Sequence, residues 1–278
     1  MTQKLSTLGQ FRSTRMGSAL SLTLKVVLIT LGVPLTIYLG ILGLLIAAPS
    51  LQAYAVYLHK VTLTWSKDLN IPEQFGFLHN QVVPFYIETE DGVKLHTWQV
   101  LPLKVYDQNQ KEVLSQDLSG PVEDITSTVN FRLLRDDPEP RLVIYMHGTS
   151  GTIGSTIRPT SYRNLYSAPL DKIHVLSFDY RGFGLSSGLP SEQGLLFDAL
   201  AVVKWATTTA QIPSDRIVIY GQSLGSAVSI SLVNHLAKQH SSLPFAGVII
   251  SASFADLPSL TATYRIGGVI PVLARCKC

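Results

Sequence analysis

Residues 216–236 read RIVIYGQSLGSAVSISLVNHL, a strand-like run, a glycine-flanked serine and a helix-like run in direct succession. The run Ile217–Tyr220 is short, β-branched and uninterrupted, and a polar turn precedes it, which predicts a buried parallel strand. The stretch from Leu224 onward has room for about four helical turns. A strand that runs straight into a helix leaves one residue at a sharp corner with unfavourable backbone angles. Residues two positions to either side must then be tiny, and here they are Gly221 and Gly225. The pattern fits a G-x-S-x-G nucleophile elbow, with the Ser223 hydroxyl raised above the sheet and a helix N-terminus beneath it. The competing reading is a tight turn with an idle serine.

The same alternation recurs on both sides of this stretch. RLVIYMHG (141–148) and KIHVLSFDYRGFG (172–184) each hold a strand, Ser191–Thr207 reads as a helix with Leu196, Leu200 and Val203 on one face, and FAGVIISAS (245–253) is a further strand. Upstream, VVPFYIETEDGVKLHTWQVLPL (82–103) reads as two strands around an Asp91-Gly92 turn. Residues 104–140 are polar and weakly patterned, and are expected to form a surface insertion near the mouth of the site. Strands alternating with helices give the α/β class, with a mostly parallel sheet covered on both faces. In such sheets ligands bind beyond the carboxyl ends of the strands. HGTSG (147–151), DYRGFG (179–184) and GQSLG (221–225) all fall there.

The chain has 278 residues, of which 46% are hydrophobic and only 15% charged, against about 25% charged in ordinary soluble domains. Much of the excess lies in VVLITLGVPLTIYLGILGLLIAA, residues 26–48, which no charge interrupts and which is long enough to cross a bilayer. Its Gly and Pro residues are tolerated in membrane spans. The small residues of AAPSLQA would suit a cleaved signal peptide, but the apolar run exceeds the roughly 7–15 residues of such segments, which favours an uncleaved signal anchor. Lys4, Arg12, Arg15 and Lys25 precede the span, and no acidic residue occurs before Asp68. That bias predicts a cytosolic N-terminus and a lumenal remainder, in the endoplasmic reticulum. The expected organisation is therefore a basic tail (1–25), a transmembrane anchor (26–48), a juxtamembrane segment (49–75) and an incomplete α/β domain (76–278). Within the juxtamembrane segment, Leu51, Tyr54, Leu58, Val61 and Trp65 recur at helical spacing, as for a helix lying on the membrane or one packed on the following domain.

Other function classes find no support. The net charge of +3 comes mainly from the membrane-flanking region, and no basic patch with interleaved aromatics suggests nucleic acid. The two cysteines, Cys276 and Cys278, cannot build a disulfide framework, have no histidine beside them for zinc, and would serve no purpose as a prenylation signal on a chain already anchored. No HExxH or comparable cluster indicates a metal, and no cofactor motif is present.

HGT (147–149), FDYRGFGLSSG (178–188), PSEQGLLFDALAVVKW (190–205) and GQSLGS (221–226), in that order and spacing, resemble an α/β-hydrolase. With the N-terminal span and TEDGVKLHTWQVLP (89–102), the chain is similar to the membrane-anchored branch of the α/β-hydrolase-domain proteins, which includes monoacylglycerol and lysophosphatidylserine lipases and fungal bud-emergence-type hydrolases. The resemblance covers nearly the whole chain. It implies a serine hydrolase of acyl esters in lipids at the bilayer, without cofactor or metal. By position, Ser223 corresponds to the nucleophile. The oxyanion hole would be the N–H groups of Thr149 and Leu224, with His147, Gly148, Gly221 and Gly225 in support.

The resemblance breaks at the acid–base half. The order in this fold is nucleophile, acid, histidine. After Ser223 stand only His235, His240 and Asp256, and His235 is about 18 Å of helical rise from the elbow. His174 lies at the wrong end of its strand, His59, His79 and His96 lie before the parallel strands, and His147 is committed to the oxyanion loop. The expectation is a C-terminally shortened hydrolase that lacks the triad acid and histidine, and is inactive or weakly active by itself. The alternatives are a non-catalytic pseudoenzyme or, in complete form, a protein acyl-thioesterase.

Overall fold

A computed structural model describes residues 3–62, 64, 66–137, 139, 141–155, 157–167, 172–239, 244–253, 265–266 and 270–271. The chain divides into two compact units, Met1–Ala55 and Val56–Cys278.

The first unit is dominated by helix α1, Gln3–Ala47, which absorbs the basic tail that the sequence reading kept apart from the span. Its stretch Leu24–Leu44 is long and apolar enough to cross a membrane. The hydroxyls of Thr30 and Thr36 donate to the carbonyls of Val26 and Gly32 one turn back, so neither presents an unmet polar group. A second helix, α2 (Pro49–Tyr57), ends where Leu58 takes a φ of +48°. The apolar stripe from Leu51 to Trp65 is therefore not one helix: a β-carbon in the left-handed region interrupts it. Trp65 lies outside the described residues, as do His240, Asp256, Cys276 and Cys278.

In the second unit, β1 (Val82–Glu88) and β2 (Lys94–Val100) form the expected hairpin. The six-stranded sheet has the order β1-β2-β4-β3-β5-β6, where β3 is Arg141–Met146, β4 Ile173–Phe178, β5 Ile217–Gln222 and β6 Gly247–Ser251. Strands β3 to β6 are mutually parallel, and the hairpin joins antiparallel through β2. Alternation along β3 builds both halves of the core. Leu142, Ile144 and Met146 face one cluster, which also holds Leu195 and Val202 from the helix Glu192–Lys204 and Leu232 from the helix Leu224–Lys238. Val143 and Tyr145 face another, with Trp98, Tyr162 and Tyr166. The second cluster reaches back to Leu69 and Phe75, and the Trp98 indole N–H donates to the Leu69 carbonyl at 2.9 Å. Hence the compact unit starts at Val56, upstream of the boundary at 76 read from the sequence.

The segment 104–140 also departs from expectation. It carries three short helices, α3 (Leu103–Gln108), α4 (Gln110–Leu114) and α5 (Val129–Arg135), with Val105, Tyr106, Val113, Phe131 and Leu134 buried. It sits away from the mouth of the site. Strand β2 runs antiparallel and ends with Val100 opposite Val175 near the start of β4, so the chain leaves at the amino ends of the parallel strands. There Asn80 donates to the carbonyls of Val113 and Gln116.

Candidate active site

At the carboxyl end of β5 the chain turns directly into α8, here numbered after α6 (Arg158–Tyr166) and α7 (Glu192–Lys204) and spanning Leu224–Lys238. Ser223 stands at the corner with φ 52° and ψ −113°. A non-glycine residue there costs on the order of 1–3 kcal/mol, and such strain persists only where the surroundings impose it. The surroundings do so through four hydrogen bonds. The Ser223 N–H donates to the Ser251 carbonyl (2.9 Å) and the Ser226 N–H to the Ser223 carbonyl (2.9 Å). The Ser226 hydroxyl reaches the carbonyls of Gly221 and Ser251, each at 3.0 Å. The glycines are required by close approach. A β-carbon on Gly225 would collide with the Met146 carbonyl at the end of β3, and one on Gly221 would come within 2.5 Å of the Gly225 carbonyl oxygen.

The loop after β3 lies against this corner. A β-carbon on Gly148 would stand 3.3 Å from the Ser223 β-carbon and 3.9 Å from its hydroxyl oxygen. Four successive loop amides are engaged elsewhere. Ser150 N–H donates to the Tyr57 carbonyl (3.0 Å) and Gly151 N–H to the Val61 carbonyl (2.7 Å). Thr152 N–H donates to the Ser155 hydroxyl (2.7 Å) and Ile153 N–H to the Asp179 carboxylate (2.8 Å). Among the described residues the N–H of Thr149 has no acceptor, and neither has that of Leu224, one of the orphan donors of the α8 N-terminus. The Thr149 hydroxyl is turned away to the Tyr57 carbonyl at 2.7 Å. Two free backbone donors thus remain on either side of Ser223, one from the residue that follows it and one from the loop that touches it.

The histidines are placed elsewhere. His147 is fully buried, with Nδ1 2.8 Å from the Gly148 carbonyl oxygen and Nε2 3.3 Å from Asp179 Oδ1. Burial, reinforced by Arg158, holds its pKa below the usual value against the opposing pull of Asp179. Both ring nitrogens therefore face the loop and Asp179, and the ring packs against Tyr180 and Phe183. His174 is buried near the start of β4, and burial lowers its pKa to about 3. His96 contacts Asn70 at 3.2 Å, and burial lowers its pKa to about 4. His79 pairs with Glu73, His59 packs on Phe183, and His235 occupies the last turn of α8, in a groove shared with Phe197 and Leu200. Asp179 accepts the Ile153 N–H, and Arg181 binds Asp198 (2.8 Å) and Asp91 (2.8 Å), a framework that fixes the turn after β4. No group of three potential metal ligands occurs among the described residues.

One residue at this site escaped the sequence reading. Arg158, 6% exposed, opens α6 and donates to the carbonyls of Gly148 (2.9 Å), Thr149 (3.3 Å), Ser150 (2.7 Å) and Thr152 (2.6 Å). A cation in the first turn of a helix opposes the helix dipole, and that mismatch in IRPTSYRNLY was the available signal.

Comparison with known proteins agrees with this geometry. The family described as "Serine aminopeptidase, S33" matches residues 138–275. The lysophosphatidylserine lipase ABHD12 of Xenopus tropicalis is 32% identical over 223 residues, which is 80% of this chain and 52% of that protein. The rat protein of the same name is 29% identical over 235 residues, covering 84% and 52%. Human protein ABHD12B is 28% identical over 184 residues, covering 66% and 45%. The chain thus spans about half the length of the curated relatives it matches. In fold it is similar to the crystal structure of an alpha-beta hydrolase from Vibrio vulnificus, with a TM-score of 0.55 at 16% identity over 78% of this chain and 62% of that one.

Proposed function

Because this chain belongs to the α/β-hydrolase family, we propose that it carries the nucleophile and the oxyanion donors of a serine hydrolase acting on acyl esters. Ser223 attacks the ester carbonyl, the carbonyl oxygen gains negative charge, and the N–H groups of Thr149 and Leu224 receive it. The alcohol then leaves and water resolves the acyl-enzyme. His147, Gly148, Gly221 and Gly225 hold the two donors and the serine in place. The observation that supports this most is the pairing of strain and free donors: Ser223 is held at φ 52° while the loop beside it spends every amide from Ser150 to Ile153 and spares that of Thr149.

The proton of Ser223 needs a base, and among the described residues no histidine is hydrogen-bonded to the Ser223 hydroxyl. We therefore assign neither base nor acid among the described residues, and expect slow turnover wherever they are missing. Oxyanion donors without a complete triad still leave an acceleration of about 10³–10⁴ over water. A lysophospholipid is the preferred substrate class, ahead of monoacylglycerol. The named relatives are lysophosphatidylserine lipases, and the apolar stretch Leu24–Leu44 would hold the site beside a lipid already partitioned in the bilayer. An N-terminus in the cytosol and a lumenal hydrolase unit belong to the same reading. That no described histidine is hydrogen-bonded to Ser223 favours one rival, a non-catalytic chain that binds lipid or a partner protein. The test is lysophosphatidylserine hydrolysis by membranes bearing the chain. Release of fatty acid above the Ser223→Ala background supports the enzyme; lipid binding with no Ser223-dependent release supports the rival.

A further inference from the structure

Arg158 is a buried cation with no carboxylate within ion-pairing distance among the described residues. Burying a charge without a counter-ion is unfavourable unless hydrogen bonds satisfy it. Here the compensation is four backbone carbonyls, all from the five residues 148–152. A planar guanidinium with five donors in a fixed fork can hold such a set at once; an ammonium cannot.

The consequence follows from the planarity of the peptide bond. The Gly148 carbonyl and the Thr149 N–H belong to one trans peptide unit, so they point in opposite directions. Arg158 Nη2 (2.9 Å) and His147 Nδ1 (2.8 Å) both lie on the Gly148 oxygen, and fixing that oxygen fixes the direction of the Thr149 N–H. The charge on Arg158 also polarises the same amide, which strengthens its N–H as a donor. From the other side, the carbonyls of Tyr57 and Val61 take the N–H groups of Ser150 and Gly151. The loop is thus gripped by its carbonyls at Arg158 and by its competing amides at 57–61, and the Thr149 N–H is the one left to point at a ligand.

We propose that Arg158 is a positioning residue for the oxyanion hole, acting through the Gly148 carbonyl on the Thr149 N–H. This rests on the assignment of Ser223 and Thr149 above and adds the residue that makes the donor effective. Loss of one oxyanion donor typically costs about 10²–10³ in rate, and a donor released from its direction should cost a good part of that. Arg158→Lys, which keeps the charge without the fork, should retain more than Arg158→Met.

The experiment uses the full chain in detergent, with Arg158→Lys, Arg158→Met and Ser223→Ala. Three quantities are read: the rate of Ser223 modification by a fluorophosphonate probe, located by peptide mass spectrometry; hydrogen exchange of the peptide covering 147–155; and the melting temperature. The expected result is a fall in modification rate of tenfold or more in Arg158→Met and a smaller fall in Arg158→Lys. Exchange should rise within 147–155 and nowhere else in the sheet, so that the rate loss exceeds what partial unfolding explains. An Arg158→Met protein that modifies at the parental rate, or whose exchange rises uniformly with its loss of melting temperature, overturns the proposal. If the parent chain itself is not modified at Ser223, the nucleophile assignment fails; the exchange arm then still decides whether Arg158 orders this loop.

Discussion

Gly148 and Ser223 touch across the carboxyl ends of β3 and β5, close enough that a β-carbon on the glycine would rest 3.3 Å from that of the serine. The contact couples the loop after β3 to the elbow, and it makes Gly148 the place where a side chain would screen the hydroxyl. Gly148→Val is expected to abolish fluorophosphonate modification of Ser223 while the melting temperature stays near that of the parent. Modification at the parental rate would mean that the probe approaches from a side the loop does not guard.

Gly225 should behave differently. Its missing side chain lets the first turn of α8 press on the Met146 carbonyl. Gly225→Ala forces β3 and α8 apart, and overpacking of this kind costs typically 1–3 kcal/mol, more where backbone is the obstacle. Thermal unfolding should show a clear loss of stability together with loss of Ser223 modification. A variant as stable as the parent would show that the helix can retreat without cost.

Two buried imidazoles give the fold a sensitivity to acid. His96 and His174 are held neutral by burial, with pKa values of about 4 and about 3 against 6.5 when free. Between those values the unfolded chain binds more protons than the folded one. Stability is therefore complete above pH 6.5 and falls as the pH drops toward the folded values, by about 1.4 kcal/mol per pH unit for each group. Urea unfolding at pH 7.5 and pH 5 should show this loss, and His174→Leu should flatten it. An unchanged slope in that variant would remove His174 from the account.

Topology is open to direct measurement. Lys4, Arg12, Arg15 and Lys25 precede the apolar stretch and no acidic residue does, so the unit from Val56 onward is expected inside sealed microsomes. A C-terminal epitope should survive protease until detergent is added. Digestion without detergent would reverse the orientation.

The elbow was legible in the sequence because its constraints are local: a β-branched run, a serine, and two glycines at fixed distance leave few backbone solutions. Thr149 and Leu224 came forward as donors from the resemblance alone; the structure adds that neither N–H has an acceptor among the described residues. What the sequence hid depends on contacts distant in the chain. Arg158 acts through carbonyls six to ten residues earlier, and a lone arginine in a loop-to-helix junction has no periodic signature. Residues 56–75 read only as a juxtamembrane segment because their partners, the loop at 149–151 and Trp98, lie 23 or more residues away. The segment 104–140 looked featureless because its helices are too short for a 3.6-residue stripe to stand out.

We propose that the strained corner presents Ser223 as the nucleophile. The most direct measurement is the site of covalent attachment of a fluorophosphonate probe on the full chain after prolonged incubation, read by peptide mass spectrometry beside Ser223→Ala. The expected result is slow, saturable modification confined to Ser223 and absent from the variant. Modification of another residue, equal modification of Ser223→Ala, or none at all would contradict it.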